Sequence, residues 1–249
     1  MINGNFTNLS DAEYEVCMNC IAEKTAKAEI VKYLQKQRLI TASSVLISEY
    51  SVNRSNIRAD LVLANTRSLH GIEIKTDADS LKRAERQLKG YSRYFTHVTF
   101  AVSPRHLPKA LELLPNRVGI WVINDDKITV IRRAKKTLRQ KSDLVHMMHV
   151  ADLKSLIRNE GLNYQFDRRA ELSQLALELP KNTLAIAALK SIRARYKEAS
   201  SSFLDAFNCD KDVKQIAKLS RYFQRREITK RQEQKFAQIW LSWNQFSYA

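Results

Sequence analysis

Apolar residues in the first half of the chain recur with two different periods, which predict one helix followed by a series of strands. In Ala26–Gln37, the residues Ile30, Tyr33 and Leu34 fall on one side of a helix, so this stretch is predicted to be an amphipathic helix. The apolar run Val45–Val52 predicts the first strand. Similar runs predict strands at Arg58–Leu63, Gly71–Thr76, Val98–Val102, Val118–Ile123 and Ile128–Ile131, the last two forming a hairpin, and a helix at Leu81–Tyr94.

Strand patterns cease after the predicted hairpin, and from Lys135 onward the chain has helical periodicity. We therefore predict two domains, residues 1–134 and a basic helical region at 135–249. Further helices are predicted at Thr183–Tyr196 and Val213–Trp243. The leucine-rich residues 152–179 are similar to the two short helices of a SAP-type DNA-binding motif, although helical bundles commonly show the same leucine pattern.

Two charged residues alternate with isoleucines in the third predicted strand. Ile72 and Ile74 point to one face of the sheet, while Glu73 and Lys75 share the opposite face. Burying charge beside a sheet core is costly unless the charges are paired or bind a metal ion. With Asp60 in the preceding strand, the pattern indicates either a cross-strand ion pair or two carboxylates that hold Mg²⁺ against a phosphodiester.

The helix after this strand carries polar and aromatic residues on one side. Arg83, Gln87 and Tyr91 recur every four residues, unlike the apolar stripe of a helix that only packs on a core. This polar and aromatic face favours the metal-site interpretation over a simple ion pair.

These motifs together resemble those of the PD-(D/E)XK nuclease superfamily. Asp60 and Glu73-Ile74-Lys75 match its D and E-x-K, and Gln87 with Tyr91 matches the Q-x-x-x-Y of the branch related to the RecB nuclease domain. Over roughly residues 23–200 the order of motifs is similar to a small bacterial and phage family of predicted nucleases with a helical tail. The resemblance implies an α/β fold with a restriction-endonuclease-like core, in which helices flank a mixed central β-sheet, and an all-α C-terminal region.

The resemblance also implies a Mg²⁺-dependent nuclease that hydrolyses DNA phosphodiester bonds, with endodeoxyribonuclease action expected. Lys75 would orient the attacking water and stabilise phosphate charge, because an ammonium group cannot be a metal ligand. Glu49 is favoured over Glu29 as an additional ligand, since acids on adjacent strands can converge. The implied catalytic residues are Asp60, Glu73, Lys75, Gln87 and Tyr91, and the implied ligands of Mg²⁺ or Mn²⁺ are Asp60, Glu73 and Glu49.

Two alternatives stay open from the sequence. The chain could keep the nuclease fold and bind DNA or a protein partner without catalysis, or it could be a nuclease that acts on RNA. The intact Asp60, Glu73 and Lys75 favour catalysis, because a scaffold does not require that combination.

The charge balance favours a polyanionic partner. Lys and Arg total 42 against 26 Asp and Glu, which gives a formal net charge of +16 and a pI near 9.8. The basic run 132–141 is either a solvated connection or a track along a DNA backbone, and Arg83 either contacts phosphate or pairs with Asp79. The residues predicted to bind DNA are Arg58, Lys82, Arg83, Arg132, Arg133, Lys135 and Lys136.

The remaining composition bears on cellular context. No stretch approaches the ~20 consecutive apolar residues of a membrane span, and the polar start lacks the features of a signal peptide. Only three cysteines occur, so we expect a reducing compartment and no disulfide framework. The sequence therefore predicts a cytoplasmic protein whose partner is DNA and not a membrane, with a homodimer and an unidentified protein partner left open.

Overall fold

Six strands form one mixed sheet within residues 11–52, 57–124, 127–165, 168–210 and 213–219, which the computed structural model describes. In both chain order and spatial order they are β1 Val45–Ser51, β2 Arg58–Ala64, β3 Leu69–Lys75, β4 His97–Val102, β5 Gly119–Asn124 and β6 Lys127–Arg132. Strand β3 pairs with β4 and β4 with β5 in parallel, while the other neighbouring strands pair antiparallel. The predicted mixed α/β sheet is confirmed, with every strand boundary within two residues of its prediction.

Helices flank both faces of the sheet. The first helix begins well before its predicted start at Ala26. The predicted helix at Leu81–Tyr94 is confirmed, with a 3₁₀ turn at its beginning. The helices are α1 Asp11–Lys36, α2 Ala84–Tyr94, α3 Leu107–Leu113, α4 Lys141–Met147, α5 Val150–Asn159, α6 Arg169–Glu178 and α7 Lys181–Asp210, with 3₁₀ turns at Leu81–Arg83, Pro104–His106 and Val213–Leu219.

The segment between β6 and α4 corrects one prediction. The chain was expected to be helical from Lys135 onward, but α4 begins only at Lys141. The backbone N–H groups of Lys135 and Thr137 donate to the carbonyls of Arg117 and Thr96, at 2.8 and 2.7 Å. Because these groups pair with the ends of other elements, they are not available for helical hydrogen bonds.

Two hydrophobic clusters cover the two faces of the sheet. On one face, α2 and α4–α6 pack over β-strand residues such as Val62 and Phe100. On the other face, Ile30 and Leu34 of α1 pack over Leu61, Ile74 and their neighbours. Burial on both faces explains why the strands read as nearly continuous apolar runs.

Helix α7 contributes to both clusters and passes the β1 edge of the sheet. Its first half places Leu184 and Ile192 in one cluster, while Phe203 and Phe207 lie in the other. The backbone N–H of Leu46 in β1 donates to Ser200 Oγ at 2.8 Å. The helix therefore covers an edge whose unpaired backbone groups would otherwise face solvent.

The C-terminal helices share one hydrophobic cluster with the sheet. The division of the chain at residue 134 into two domains stays a prediction. Helices α5 and α6 lie where the SAP-type pair was predicted, and Gly161 between them has the left-handed φ of 70° that favours glycine. Of the predicted helix Val213–Trp243, the described part is the 3₁₀ turn Val213–Leu219, and the rest lies outside the described residues.

Among the described residues, none of the helices has the length and apolar character needed to cross a membrane.

Candidate cation and nucleic-acid site

A cleft opens where β2 and β3 part. The two strands are paired from Ala64 and Leu69 as far as Leu61 and Ile72, and the pairing stops there. At the next position a side chain replaces the backbone partner. The Oδ2 of Asp60 accepts a hydrogen bond from the N–H of Ile74 at 2.8 Å. The cleft has a volume of about 730 Å³. Its lining includes Glu23, Arg58, Asp60, Glu73, Lys75 and Gln87.

The Glu73 carboxylate is the centre of a buried hydrogen-bond network. It is 2% exposed, and its Oε1 accepts from Lys75 Nζ at 2.7 Å and from Gln87 Nε2. Its Oε2 accepts from the hydroxyl of Tyr91. Gln87 and Tyr91 reach the same carboxylate because they are four residues apart on α2. Hydrogen bonds thus join four of the five residues that the sequence singled out for catalysis, and the fifth, Asp60, lines the same cleft.

Tyr91 lies between two acceptors. Its hydroxyl is also 2.6 Å from the carbonyl oxygen of Arg58. Burial, and next the charge of Glu73, raise the pKa of Tyr91 far above its ordinary value. The phenol is therefore neutral and acts as a hydrogen-bond donor that ties α2 to β2 and β3.

Glu49 lies beside Asp60, at a distorted point in β1. Its backbone has a φ of 55°, in the left-handed region that non-glycine residues rarely adopt. Its carboxylate binds two cations, with Oε1 2.5 Å from Lys27 Nζ and Oε2 2.9 Å from Arg58 Nε. The distorted backbone thus carries an acid that pairs with cations of both α1 and β2.

A third acid, Glu23 of α1, joins this group and was missed from the sequence. Ligand oxygens of Glu23, Glu49 and Asp60 all lie within 4.8 Å of one another, a spacing that could hold a metal ion. Glu73, predicted as a ligand, is outside this group of three and is held by its own donors. Glu23 precedes Lys27 by four residues, and this i,i+4 pair was the available sequence signal.

Lys27 neutralises much of this negative charge. The residue is 4% exposed, and its Nζ is 2.6 Å from Glu23 Oε1 as well as 2.5 Å from Glu49. Burial lowers the pKa of Lys27, but Glu49 and Glu23 together outweigh it, so the pKa lies above its ordinary value. Burial, followed by the charge of Glu73, holds the pKa of Asp60 well above its ordinary value. Glu23, Glu49 and Asp60 therefore form a closely spaced group of acids whose negative charge is partly offset by Lys27.

The residues predicted to bind DNA divide into two groups. Arg58 and Arg83 line the cleft, and Lys82 is exposed at the start of the same turn. Asp79 does not pair with Arg83 in the described structure, because its Oδ2 accepts from the backbone N–H and hydroxyl of Thr76, each at 2.8 Å. The Arg83 guanidinium is thus open to a ligand.

The second group begins at Arg132, the last residue of β6, and lies away from the cleft. It is near the beginning of β4, whereas the cleft adjoins the end of β3. Arg132 is engaged within the protein, because its guanidinium donates to the carbonyls of Val118 and Leu114, both at 2.8 Å. Arg133, Lys135 and Lys136 have exposed side chains.

A comparison with protein families decides which family the chain belongs to. A family model described as bacteriophage P4 protein cII matches residues 18–220. The chain belongs to this family. Protein cII of Enterobacteria phage P4 is 27% identical over 199 residues, which cover 78% of this chain and 75% of the relative. A solved structure of a protein of unknown function from Silicibacter pomeroyi has 18% sequence identity and a TM-score of 0.39, covering 58% of this chain and 97% of that chain.

Membership of the cII family corrects the interpretation of the motifs. The prediction that the chain is a PD-(D/E)XK nuclease is wrong, because the family model that covers most of the chain is that of protein cII. It follows that three further predictions are wrong for the same reason: that the chain is a Mg²⁺-dependent deoxyribonuclease, that it is an RNA nuclease, and that it is an enzyme. Lys75, Gln87 and Tyr91 donate to the buried Glu73 carboxylate, while Asp60 accepts from the N–H of Ile74. Such a network can satisfy buried charges without chemistry.

Proposed function

We propose that this cII-family protein binds DNA without cleaving it, and that Mg²⁺ or Mn²⁺ in the cleft between β2 and β3 helps to hold a DNA phosphate. The supporting observation is that Glu23, Asp60 and several basic side chains line one cleft, and that Glu49 lies close enough to both acids to share a cation with them. Glu23, Glu49 and Asp60 supply carboxylate oxygens, the ligands that Mg²⁺ and Mn²⁺ prefer. Arg58 and Arg83 supply guanidinium groups that suit phosphate.

One buried atom supports a further ligand in the cleft. Gln87 Nε2 donates to Glu73, but Gln87 Oε1 is buried and has no hydrogen-bond partner. A buried acceptor without a partner is costly, and a cation or its bound water would satisfy it. The donor set therefore fits a hard divalent cation.

Lys27 supplies the charge balance when no divalent cation is bound. A cation that enters the group of three acids replaces the ammonium at Glu23 and Glu49, so the two compete for the same oxygens. When bound, the divalent ion supplies a second positive charge and open coordination positions for phosphate oxygens.

The fold and overall charge agree with this proposal. A helix, three strands, a helix and a fourth strand follow one another from α1 to β4, and we propose that this part is a restriction-endonuclease-like core. The formal net charge of +16 favours a nucleic-acid ligand, because lysines and arginines release counterions from phosphates on binding.

The test measures binding of fluorescein-labelled duplex and single-stranded DNA by anisotropy, in Mg²⁺, Mn²⁺, Ca²⁺ or EDTA at fixed ionic strength. Asp60→Asn is compared with Glu112→Gln, a matched change at an exposed acid of α3. We expect divalent ions to raise the affinity of the natural protein and of Glu112→Gln by about tenfold, and to leave Asp60→Asn unchanged. Titration of Mn²⁺ alone, followed by electron paramagnetic resonance, measures the cation site separately.

Three results would overturn parts of the proposal. Equal affinity in EDTA and in Mg²⁺ would exclude a role for the cation. Absence of DNA binding at about 0.1 M salt would exclude DNA as the ligand. DNA recovered at reduced length from the binding mixtures would contradict a role limited to binding.

A further inference from the structure

A second cavity lies at the opposite end of β3 and β4. It has a volume of about 360 Å³ and opens between α1 and the sheet, on the face that α1 covers. Small-ligand sites in proteins range from roughly 300 to 1,000 Å³, so this volume can hold a small molecule. Its lining includes Tyr33, His70, His97, Trp121, Thr99 and Arg133.

Four aromatic rings meet at this cavity. The ring centroids of Tyr33 and Trp121 are 5.2 Å apart, and those of His70 and Trp121 are 5.7 Å apart, both edge to face. The ring centroids of His70 and His97 are 5.9 Å apart. Tyr33, His70 and His97 are partly exposed, while Trp121 is 5% exposed. Partly exposed rings of this kind offer apolar faces on which a flat ligand can stack.

Both histidines are uncharged at neutral pH. Burial, and next the neighbouring His97, lower the pKa of His70 to about 3. Burial and the charge of Lys136 lower the pKa of His97. The His70 Nε2 atom is 2.8 Å from Thr99 Oγ1, so this ring is fixed by a hydrogen bond across the sheet. Neutral rings favour an aromatic ligand and leave the binding of an anion to another group.

Arg133 is that group. It lines the cavity, its side chain is exposed, and within the described residues it has no hydrogen bond or ion pair. The preceding Arg132, by contrast, is bound to backbone carbonyls. An unpaired guanidinium beside a group of aromatic rings suits a ligand that combines a flat ring with an anionic group.

We infer that this cavity is a nucleotide site, in which the base packs against Tyr33, His70 and His97 while a phosphate binds Arg133. The same chemistry is offered by a free mononucleotide and by the phosphorylated end of a DNA strand. The site is separate from the cleft at the other end of β3, so it does not depend on the proposed cation site.

The experiment titrates the full chain with dAMP, deoxyadenosine and inorganic phosphate, using isothermal calorimetry at pH 7.5. Arg133→Gln and Tyr33→Leu test the two halves of the site, and Arg117→Gln is the matched control at another exposed arginine. Circular dichroism and thermal unfolding show that each variant is folded. We expect dAMP to bind at least about tenfold more tightly than deoxyadenosine or phosphate. Arg133→Gln should remove that advantage over deoxyadenosine, while Arg117→Gln should keep it.

Further measurements separate the two sources of the ligand and the two sites. If a 5′-phosphorylated oligonucleotide displaces dAMP and its unphosphorylated form does not, the ligand is a strand end; if neither displaces it, the ligand is a free nucleotide. Asp60→Asn should bind dAMP like the natural protein. No heat change with dAMP at millimolar concentration, or equal affinity for dAMP and phosphate, would overturn the inference. Equal loss of dAMP affinity in Arg133→Gln and Arg117→Gln would overturn it as well.

Discussion

Replacing Lys75 by methionine tests whether the Glu73 network stabilises the fold. The ammonium and the carboxylate are 2.7 Å apart, with exposures of 5% and 2%, so each compensates the other in a nearly dry environment. Methionine has a similar length and volume but no charge. The substitution leaves a buried carboxylate that has lost its cation.

The magnitude follows from the donors that remain. Removing one partner of a buried ion pair costs about 3–5 kcal/mol. Gln87 and Tyr91 still donate to the two carboxylate oxygens, so we expect the lower end, about 3 kcal/mol at pH 7. For a chain of this size, about 3 kcal/mol corresponds to a decrease in Tm of roughly 6–12 °C.

The assay is urea denaturation followed by circular dichroism at pH 7 in EDTA. Lys89→Met, at an exposed position of α2, is the matched control and should change stability by less than about 0.5 kcal/mol. Adding Glu73→Gln to Lys75→Met removes the uncompensated charge and should restore at least about 1 kcal/mol. A cost below about 1 kcal/mol for Lys75→Met, or a double variant no more stable than the single, would refute the reasoning.

Three further predictions concern other parts of the fold. Because the pKa of Asp60 is raised in the folded protein, the folded state binds this proton more tightly than the unfolded chain, and the free energy of unfolding falls as pH rises through that pKa. Asp60→Asn should therefore be more stable than the natural protein at pH 7 in EDTA and lose this advantage near pH 3. Urea denaturation at a series of pH values measures the difference, and a difference that does not change with pH would contradict the prediction. A Cβ at Gly119 would be 2.4 Å from Thr99 Oγ1. Gly119→Ala should therefore lower the free energy of unfolding by about 1–3 kcal/mol, as measured by thermal unfolding. An unchanged Tm would show that the strands adjust freely. Arg132→Gln removes donors to two backbone carbonyls and should cost about 1–3 kcal/mol while leaving DNA affinity within twofold; a larger loss of affinity than in Arg133→Gln would assign Arg132 to the DNA surface.

The strands could be predicted because each is a short apolar run bounded by turn residues, and burial on both faces keeps the run continuous. The start of α1 could not be predicted in the same way. The apolar residues in 11–25 fall on several sides of a helix, so the stripe that marks Ala26–Gln37 is not distinct there.

The site was predictable only in part, for a physical reason. Glu73, Lys75, Gln87 and Tyr91 are close in the sequence, so strand and helix periods place them together. The pairing of Lys27 with Glu49 joins residues 22 positions apart, and neither periodicity nor motif spacing encodes it. The hydrogen bonds from Arg132 to the carbonyls of Val118 and Leu114 likewise depend on where the turn before β5 lies.

The family could not be deduced from the motif residues, because they specify a local arrangement of charges and not a biological role.

The order of the strands has a consequence for how the molecule is assembled. Every strand pairs with its neighbour in the chain, so the sheet can grow stepwise from β1 to β6 through contacts of modest sequence separation. The contact between α7 and the edge of β1 has a much larger sequence separation. Its hydrogen bond between Leu46 and Ser200 spans 154 residues. During synthesis on the ribosome, the edge of β1 therefore stays open until α7 has emerged. In that interval the nascent chain is most prone to strand exchange with a second molecule. The packing of α7 against β1 closes the open edge and removes this risk.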